Sequence, residues 1–481
     1  MGQRASCGVT SNTDLHVSSR PSDAPSRAVR AWRAYGVARG LPDGVRDPGF
    51  RALVQQIDGS PVHVCPPVRL LPDGEEAFTR MRQAIAGARE EVLVETYILR
   101  DDRLGVSVQQ ALIDAVGRGV RVCVLADAMG SLATRDDFWS TLEGGGVVVR
   151  QFHRFWHHPF DALRRDHRKL LVIDRTVGFT GGMNIGEEYG SSIKRRHDAW
   201  RDTFVELRGS VVGELAAVFA EGWDRSRGPV LPGLEYVSWS EGAEHTPAYA
   251  QRVRHSSPSA VRALQARLQS EWLQRLGKRR DRRRGRRVRR NAEAAASDMP
   301  GVVVLDPRPG RGQQEMLTVL VALAGAARER LWITTPYFAP PARALKLLAS
   351  AAQRGVDVRL LLPSERTDVA LVRHAAHGAY QMLLDRGVRI FEYQRATLHA
   401  KTLVVDGYVS LVGSSNLDFR SFWLNAECNV LLFDDVCGAA MERIFDADLE
   451  GSVEITSAAW RARSWQHRVL DRVARALRWA L

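Results

Sequence analysis

The sequence predicts an α/β protein of two halves related by a pseudo-twofold axis, each a mainly parallel sheet flanked by helices, with one site shared between them. Three observations predict it. The chain states one pattern twice; strands alternate with helical crossovers in each statement; and a His-x-Lys-x4-Asp segment recurs at the corresponding place in both. Alternation of strand and crossover is the signature of covered parallel sheets, and a doubled unit usually packs face to face.

Residues 1–48 are rich in Ser, Arg, Pro and Gly without apolar periodicity, which predicts a disordered or loosely attached arm, with folded structure from near Pro61. The first half, 61–239, opens with AIAGAREEVLVETYIL (84–99), and the second, 301–450, with ALAGAARERLWITTPYF (322–338), each a helix followed by a strand. A helical stretch then ends in Arg-Gly-Val at 118–120 and again at 354–356, leading into the strands VRVCVLAD and VDVRLLLP. Each half next supplies DHRKLLVID (166–174) or LHAKTLVVD (398–406). Between the halves, 240–300 has no counterpart in the repeat, and its Lys278–Arg290 run carries ten basic residues against Asp281, so it is expected to be an exposed basic insert. The tail, 455–481, places Trp465, Val469, Val473, Leu477 and Leu481 on one stripe with Arg468, Arg472, Arg475 and Arg478 off it, a basic amphipathic helix.

The formal charge of +13 favours anionic partners: phospholipid surface, nucleic acid or a phosphorylated small molecule. No apolar run reaches 18 residues, and no secretory leader pattern precedes the fold, so a cytoplasmic location is expected. The five cysteines, Cys7, Cys65, Cys123, Cys428 and Cys437, lack Cys-x-x-Cys spacing and are expected as free thiols rather than a disulfide framework or zinc knuckle.

Residues i and i+2 of a strand share a face, so His167 with Lys169, and His399 with Lys401, each offer an imidazole beside an ammonium. A phosphodiester reaction needs a nucleophile, an acid for the leaving alkoxide and positive charge on the non-bridging oxygens; two such pairs supply all three without metal or cofactor. One pair alone would read as half-exposed surface. The chain, however, has only five lysines among 68 basic residues, and two of them occupy the matching positions. After the motifs come GFTGGMN (178–184) and SLVGSSN (410–416), whose small residues Gly182 and Ser414 allow backbone to approach a phosphate and whose Asn184 and Asn416 can donate to it.

With these motifs the chain resembles the phospholipase D superfamily over roughly residues 65–450. Within it, GGMNIGEEY (181–189), TPYF (335–338) and GSSNLDFRSFWLNAE (413–427) are most similar to bacterial cardiolipin synthases, of the branch without N-terminal transmembrane helices. Phe419 departs from the proline common in relatives, away from the catalytic positions. The resemblance implies two phospholipase D-like subdomains and a two-step exchange through a phosphohistidine; family analogy favours His167 as nucleophile and His399 as acid, while the symmetry of the two motifs leaves their order open. It implies catalytic roles for His167, Lys169, Asp174, His399, Lys401 and Asp406, though Asp174 and Asp406 are expected to brace the motif loops. It also implies that Asp202 and Glu427 orient the imidazoles. Glu95, Tyr97 and Tyr337, at strand ends, read as core as readily as site residues.

The expected reaction is phosphatidyl transfer between two phosphatidylglycerol molecules at an anionic membrane surface, with the protein peripheral on the inner face. The alternative is hydrolysis of phospholipid or nucleic-acid phosphodiesters by the same pair. Nucleic acid is disfavoured because the basic run lacks interleaved aromatics. A binding protein with decayed motifs is disfavoured by intact His, Lys and Asp in both halves. One chain contains both motifs, so no oligomer is required.

Overall fold

The computed structural model describes residues 27–64, 68–152, 164–190, 199–226, 299–307 and 315–464, with Asp471 and Ala474. Two helices come first, α1 (Arg27–Gly40) and α2 (Pro48–Asp58), then β1 (His63–Val64). The first half continues with β2 (Arg69–Leu71), α3 (Gly74–Ala86), β3 (Glu91–Thr96), α4 (Arg103–Gly117), β4 (Arg121–Asp127), α5 (Asp136–Gly144) and β5 (Val148–Phe152). It closes with β6 (Leu170–Ile173), β7 (Val177–Gly181), β8 (Phe204–Arg208) and α6 (Val211–Arg225). The second half repeats this order: β9 (Gly301–Leu305), α7 (Glu315–Ala326), β10 (Arg330–Thr334), α8 (Ala342–Gln353), β11 (Asp357–Pro363), α9 (Ala370–Leu384) and β12 (Arg389–Tyr393). There follow β13 (Thr402–Val405), β14 (Val409–Gly413), α10 (Phe419–Trp423), β15 (Asn429–Phe433), α11 (Asp435–Leu449), β16 (Ser452–Ile455) and α12 (Ser457–Ala462).

The α/β class and the twofold repetition hold, but the sheets are mixed rather than mainly parallel. In the seven-stranded sheet, ordered β2-β8-β7-β6-β3-β4-β5, only β3-β4 and β4-β5 are parallel; in the nine-stranded sheet, β1-β9-β15-β14-β13-β10-β11-β12-β16, only β10-β11 and β11-β12 are. The cause is a pair of tight hairpins directly after the motifs. Asp174 and Arg175 turn β6 into β7 at φ of 48° and 51°, and Asp406 and Gly407 turn β13 into β14 at 51° and 61°. Positive φ at both central residues matches a strand's right-handed twist, and Asp-Gly is a strong hairpin signal. The sequence "VVDGYV" therefore carried the antiparallel pairing in plain view.

The expected arm is corrected from Arg27 onward, while residues 1–26 lie outside the described residues. Asp47 caps α2 by accepting from the Gly49 N–H, with Pro48 at the first helical position. Ala34, Tyr35 and Ala38 of α1 are buried with Phe50, Leu53 and Val54 of α2 in the core around α7. From Met316 to Ala326 the helix α7 is buried on every side, so it needs such a cover. The first half's boundary shifts too, because β1 pairs antiparallel with β9 of the second. The basic run of the insert, Lys278–Arg290, and every residue of the tail stripe lie outside the described residues.

Between the sheets lie α6, packed on β3, β6, β7, β8 and also β9, and α11, packed on β12 to β16 and also β2. Their shared core joins Leu93, Val172, Val205 and Phe219 of the first half to Val304, Val404, Val430 and Phe445 of the second. Each such side chain contributes roughly 1.5–3 kcal/mol when fully buried, so the halves are held as one body. Strands β7 and β8 meet β14 and β15 directly, and the site lies where they meet.

Candidate active site

Both motifs lie just before a strand, β6 or β13, and each is received by the other half. The His167 N–H donates to the Ala426 carbonyl (2.9 Å), and the His399 N–H to the Arg201 carbonyl (2.8 Å). This exchange carries the imidazoles across the pseudo-twofold axis. His167 Nδ1 stands 2.9 Å from Glu427 Oε2, and His399 Nδ1 stands 2.6 Å from Asp202 Oδ2. A carboxylate accepts, so we assign the proton to Nδ1 in both rings, which leaves each Nε2 free for chemistry. Sequence reasoning paired the motifs with these two carboxylates; that each histidine is oriented from the opposite half emerges only in three dimensions.

The lysines fold back beside their histidines. Lys169 Nζ donates to the His167 carbonyl at 2.7 Å and sits over the Tyr97 ring, 5.3 Å from its centroid. Lys401 donates to the His399 carbonyl, lies 2.8 Å from His399 Nδ1 and is 4.0 Å from Asp202. All four motif side chains are buried. Burial, reinforced by the lysines, lowers His167 to about 4 against the pull of Glu427, and holds His399 well below its usual value. Burial likewise lowers Lys169 to about 7 and Lys401 to about 8, and raises Asp202 to about 6. Burial also pushes Glu427 upward, but His167, Lys169 and Ser414 outweigh it and hold the carboxyl below its ordinary value. Burial thus disfavours the protonated forms of both histidines and both lysines, and an anion arriving among them would restore those forms, which suits the pocket to receiving a phosphate.

Asp174 and Asp406 are not in this cluster. Each sits at the far end of its strand and accepts three backbone N–H groups, from Arg89, Glu90 and Glu91 or from Arg328, Glu329 and Arg330, at 2.8–2.9 Å. A strand rises about 3.3 Å per residue, so five residues separate them from the lysines by roughly 16 Å. They pin the hairpins, as the bracing expectation had it, and a catalytic role for them is corrected.

Gly182 and Ser414 are also reassigned. Their backbone N–H groups are committed, to the Thr203 carbonyl (3.1 Å) and the Cys428 carbonyl (3.0 Å), and are not presented to a phosphate. A Cβ on Gly182 would come within 2.2 Å of Asp202 Oδ1, so glycine leaves room for the carboxylate that orients His399. At the matching position Ser414 donates to Glu427 Oε2 (2.5 Å) and accepts from the Cys428 N–H (2.9 Å). Asn184 accepts from the Ile98 N–H (3.3 Å) and donates to the Tyr189 hydroxyl (2.9 Å), while the Oδ1 of buried Asn416 has no hydrogen-bond partner among the described residues.

Aromatic rings complete the enclosure. Tyr97 stands edge-on to His167 with centroids 5.0 Å apart, and Tyr189, Trp200 and Tyr337 surround His399 at 5.6, 5.2 and 6.5 Å. The Tyr189 hydroxyl is 3.2 Å from His399 Nδ1. Trp200 was missed: its signal, adjacency to Arg201-Asp202, becomes legible only once Asp202 is known to face His399. Arg168, between His167 and Lys169, is fully buried and bonds Glu95 (3.3 Å), Glu221 (2.9 Å) and Asp306 (2.5 Å).

The family model described as cardiolipin synthase, PLD-like domain, matches residues 81–199 and 320–449, one motif in each segment. Cardiolipin synthase A of Pseudomonas aeruginosa is 33% identical over 96% of this chain and 82% of its own length. Cardiolipin synthase of Halalkalibacterium halodurans is 30% identical over 88% of this chain and 74% of its own, and cardiolipin synthase 1 of Bacillus anthracis is 28% identical over 94% and 80%. Among solved structures, phosphatidylserine synthase of Haemophilus influenzae Rd KW20 superposes with a TM-score of 0.62 at 13% identity, covering 93% of this chain and 97% of that one, a likeness of fold.

Proposed function

The chain belongs to the cardiolipin synthase family of phospholipase D-like enzymes, and from that premise we propose that it joins two phosphatidylglycerol molecules into cardiolipin and glycerol. It is a phosphatidyltransferase, and the observation that carries the detailed reading is the pair of cross-braced imidazoles, each with Nδ1 on a carboxylate of the opposite half and so with Nε2 directed to the chemistry.

In the first step His167 Nε2 attacks phosphorus, forming an N–P bond as the bond from phosphorus to the glycerol oxygen breaks, and His399 Nε2–H gives its proton to that oxygen. In the second, a hydroxyl of another phosphatidylglycerol attacks the phosphohistidine, His399 takes the proton back, and the N–P bond breaks. Lys169 and Lys401 hold the non-bridging oxygens in a dry pocket, where charge stabilisation is strongest. Burial strips His399 of its proton in the empty site; an anionic phosphodiester between the lysines restores it. Asp202 and Glu427 keep the rings in the reactive tautomer.

A single chain supplies both histidines and both carboxylates. No helix among the described residues is long and apolar enough to cross a membrane. We place the enzyme peripherally on the inner face of the cell membrane, where basic residues gain about 1 kcal/mol each near an anionic leaflet.

The test is labelled phosphatidylglycerol in anionic vesicles with the wild-type protein, His167→Ala and His399→Ala. Cardiolipin plus glycerol from wild type, lost in both variants, is the expected result. Phosphatidic acid as the sole product would make water the acceptor and overturn transfer.

A further inference from the structure

Away from the active site, α9 and the C-terminal tail bring together a second set of histidines. His374 and His377, three residues apart, lie on one face of α9, and Asp471 reaches them from the tail. Asp471 Oδ1 is 3.0 Å from His374 Nδ1 and 3.3 Å from His377 Nδ1, and the donor atoms of all three residues lie within 4.8 Å of one another. We propose that His374, His377 and Asp471 form a binding site for one divalent late transition metal ion, fastening the tail to α9.

The argument rests on geometry and on what stands behind the three donors. Two ligands of a tetrahedral zinc, at bond lengths of about 2.0–2.1 Å, are about 3.3 Å apart, the spacing found on both histidine–aspartate edges. A metal ion can enter between these atoms by displacing the protons they now share, the two imidazoles, whose donors lie within 4.8 Å of each other, closing on it. Behind the donors is an outer shell of the kind metal-binding histidines use. His377 Nε2 is 3.2 Å from Glu392 Oε1, so that carboxylate fixes the ring with Nδ1 facing the site. Glu392 is itself held by the Tyr380 hydroxyl (3.2 Å) and Arg373 (3.4 Å). Arg463 takes the other oxygen of Asp471 at 3.2 Å, leaving Oδ1 as the single inward donor. Trp460 and Tyr380 stand edge-on to the His377 ring, limiting its rotation.

Access and ion choice follow from the same residues. The side chain of His377 is 8% exposed while that of His374 is 19% exposed, which opens one side of the site to solvent for entry and for a fourth, water ligand. Two imidazoles and one carboxylate suit zinc, cobalt or nickel over magnesium or calcium, which prefer all-oxygen sets. The two arginines neutralise the two carboxylates, so a weakly held hard cation gains nothing here. Ala474, one turn beyond Asp471, is buried against Ala375 and Ala339, so the metal would reinforce an existing contact.

The full-length protein, stripped with chelator, would be titrated with Zn²⁺ by calorimetry, and with Co²⁺ by visible absorption, which distinguishes tetrahedral coordination. The expected result is one Zn²⁺ per chain, a tetrahedral Co²⁺ spectrum and a raised melting temperature. Uptake should be lost in His377→Ala and in Asp471→Asn, the latter being isosteric and guarding against a variant that fails to fold. Glu392→Gln should bind about 10–100-fold more weakly while keeping the stoichiometry. Absence of saturable Zn²⁺ uptake by wild type would overturn the site and leave the three residues as a hydrogen-bonded latch. Undiminished uptake in both Asp471→Asn and His377→Ala would also overturn it, assigning the zinc to other histidines.

Discussion

The two motifs place the same reactive groups in different surroundings. Between His167 and Lys169 stands Arg168, sunk among Glu95 and Glu221 of its own half and Asp306 of the other; between His399 and Lys401 stands Ala400, with no group to engage. His167 Nδ1 faces Glu427, and that carboxylate is in turn held by Ser414 and, at 3.4 Å, by Asn425. His399 Nδ1 has Asp202, Lys401 and Tyr189 within 3.2 Å. One histidine is thus held by a chain of partners behind a single carboxylate, the other by several partners at once. A doubled fold can divide the labour of nucleophile and acid in this way, because near-symmetric strands carry unlike second contacts.

The largest expected effect tests the division itself. His167→Ala and His399→Ala should each lower transfer by about 10⁴-fold or more. A phosphodiester with an activated leaving group, which needs no acid, should restore turnover in His399→Ala and not in His167→Ala. Restoration in His167→Ala instead would exchange the two roles. Next, Glu427→Gln should cost about 10²–10⁴-fold in kcat by disturbing the tautomer of its histidine, and Asp202→Asn less, since Lys401 and Tyr189 still contact His399. Equal losses would mean those extra contacts hold nothing.

Arg168→Met should lower stability by about 3–5 kcal/mol, because Glu95, Glu221 and Asp306 lose the fully buried cation they share; urea unfolding measures it, and a change below about 1 kcal/mol would show the cluster to be internally compensated. Lys169 gives a pH test with a definite sign. Its folded value of about 7 lies below the ordinary 10.5, so between those values the unfolded chain holds a proton the folded one has shed. Stability should therefore rise with pH across that window in the wild type relative to Lys169→Met; a flat difference would show that the ammonium is not disfavoured. The smallest effect should come from Ser414→Ala, which removes one hydrogen bond to Glu427 and should reduce kcat by about tenfold. A loss as large as that of Glu427→Gln would make Ser414 a participant rather than a support.

Much of this was legible beforehand because it is written at short range. The His-x-Lys pairs, their recurrence and the α/β alternation need only neighbours in sequence, and Asp202 and Glu427 follow from the family resemblance. What escaped was written at long range or in weak signals. The helix α1 buries small residues, Ala34 and Ala38, beside Tyr35, and no apolar stripe announces it; its reason is the exposed flank α7 would otherwise present. The hairpins at Asp174 and Asp406 were readable, at least at Asp406-Gly407, yet strand–helix alternation earlier in each half suggested parallel order throughout. The work of Gly182 is unreadable locally, since what it avoids is a carboxylate 20 positions along the chain.

The crossed bracing makes the site a logical AND. Glu427 follows His167 by 260 residues, and Asp202 precedes His399 by 197, so neither imidazole acquires its orienting carboxylate until the second half has been synthesised and docked. A nascent chain therefore carries an unaimed histidine, and chemistry waits for the complete fold.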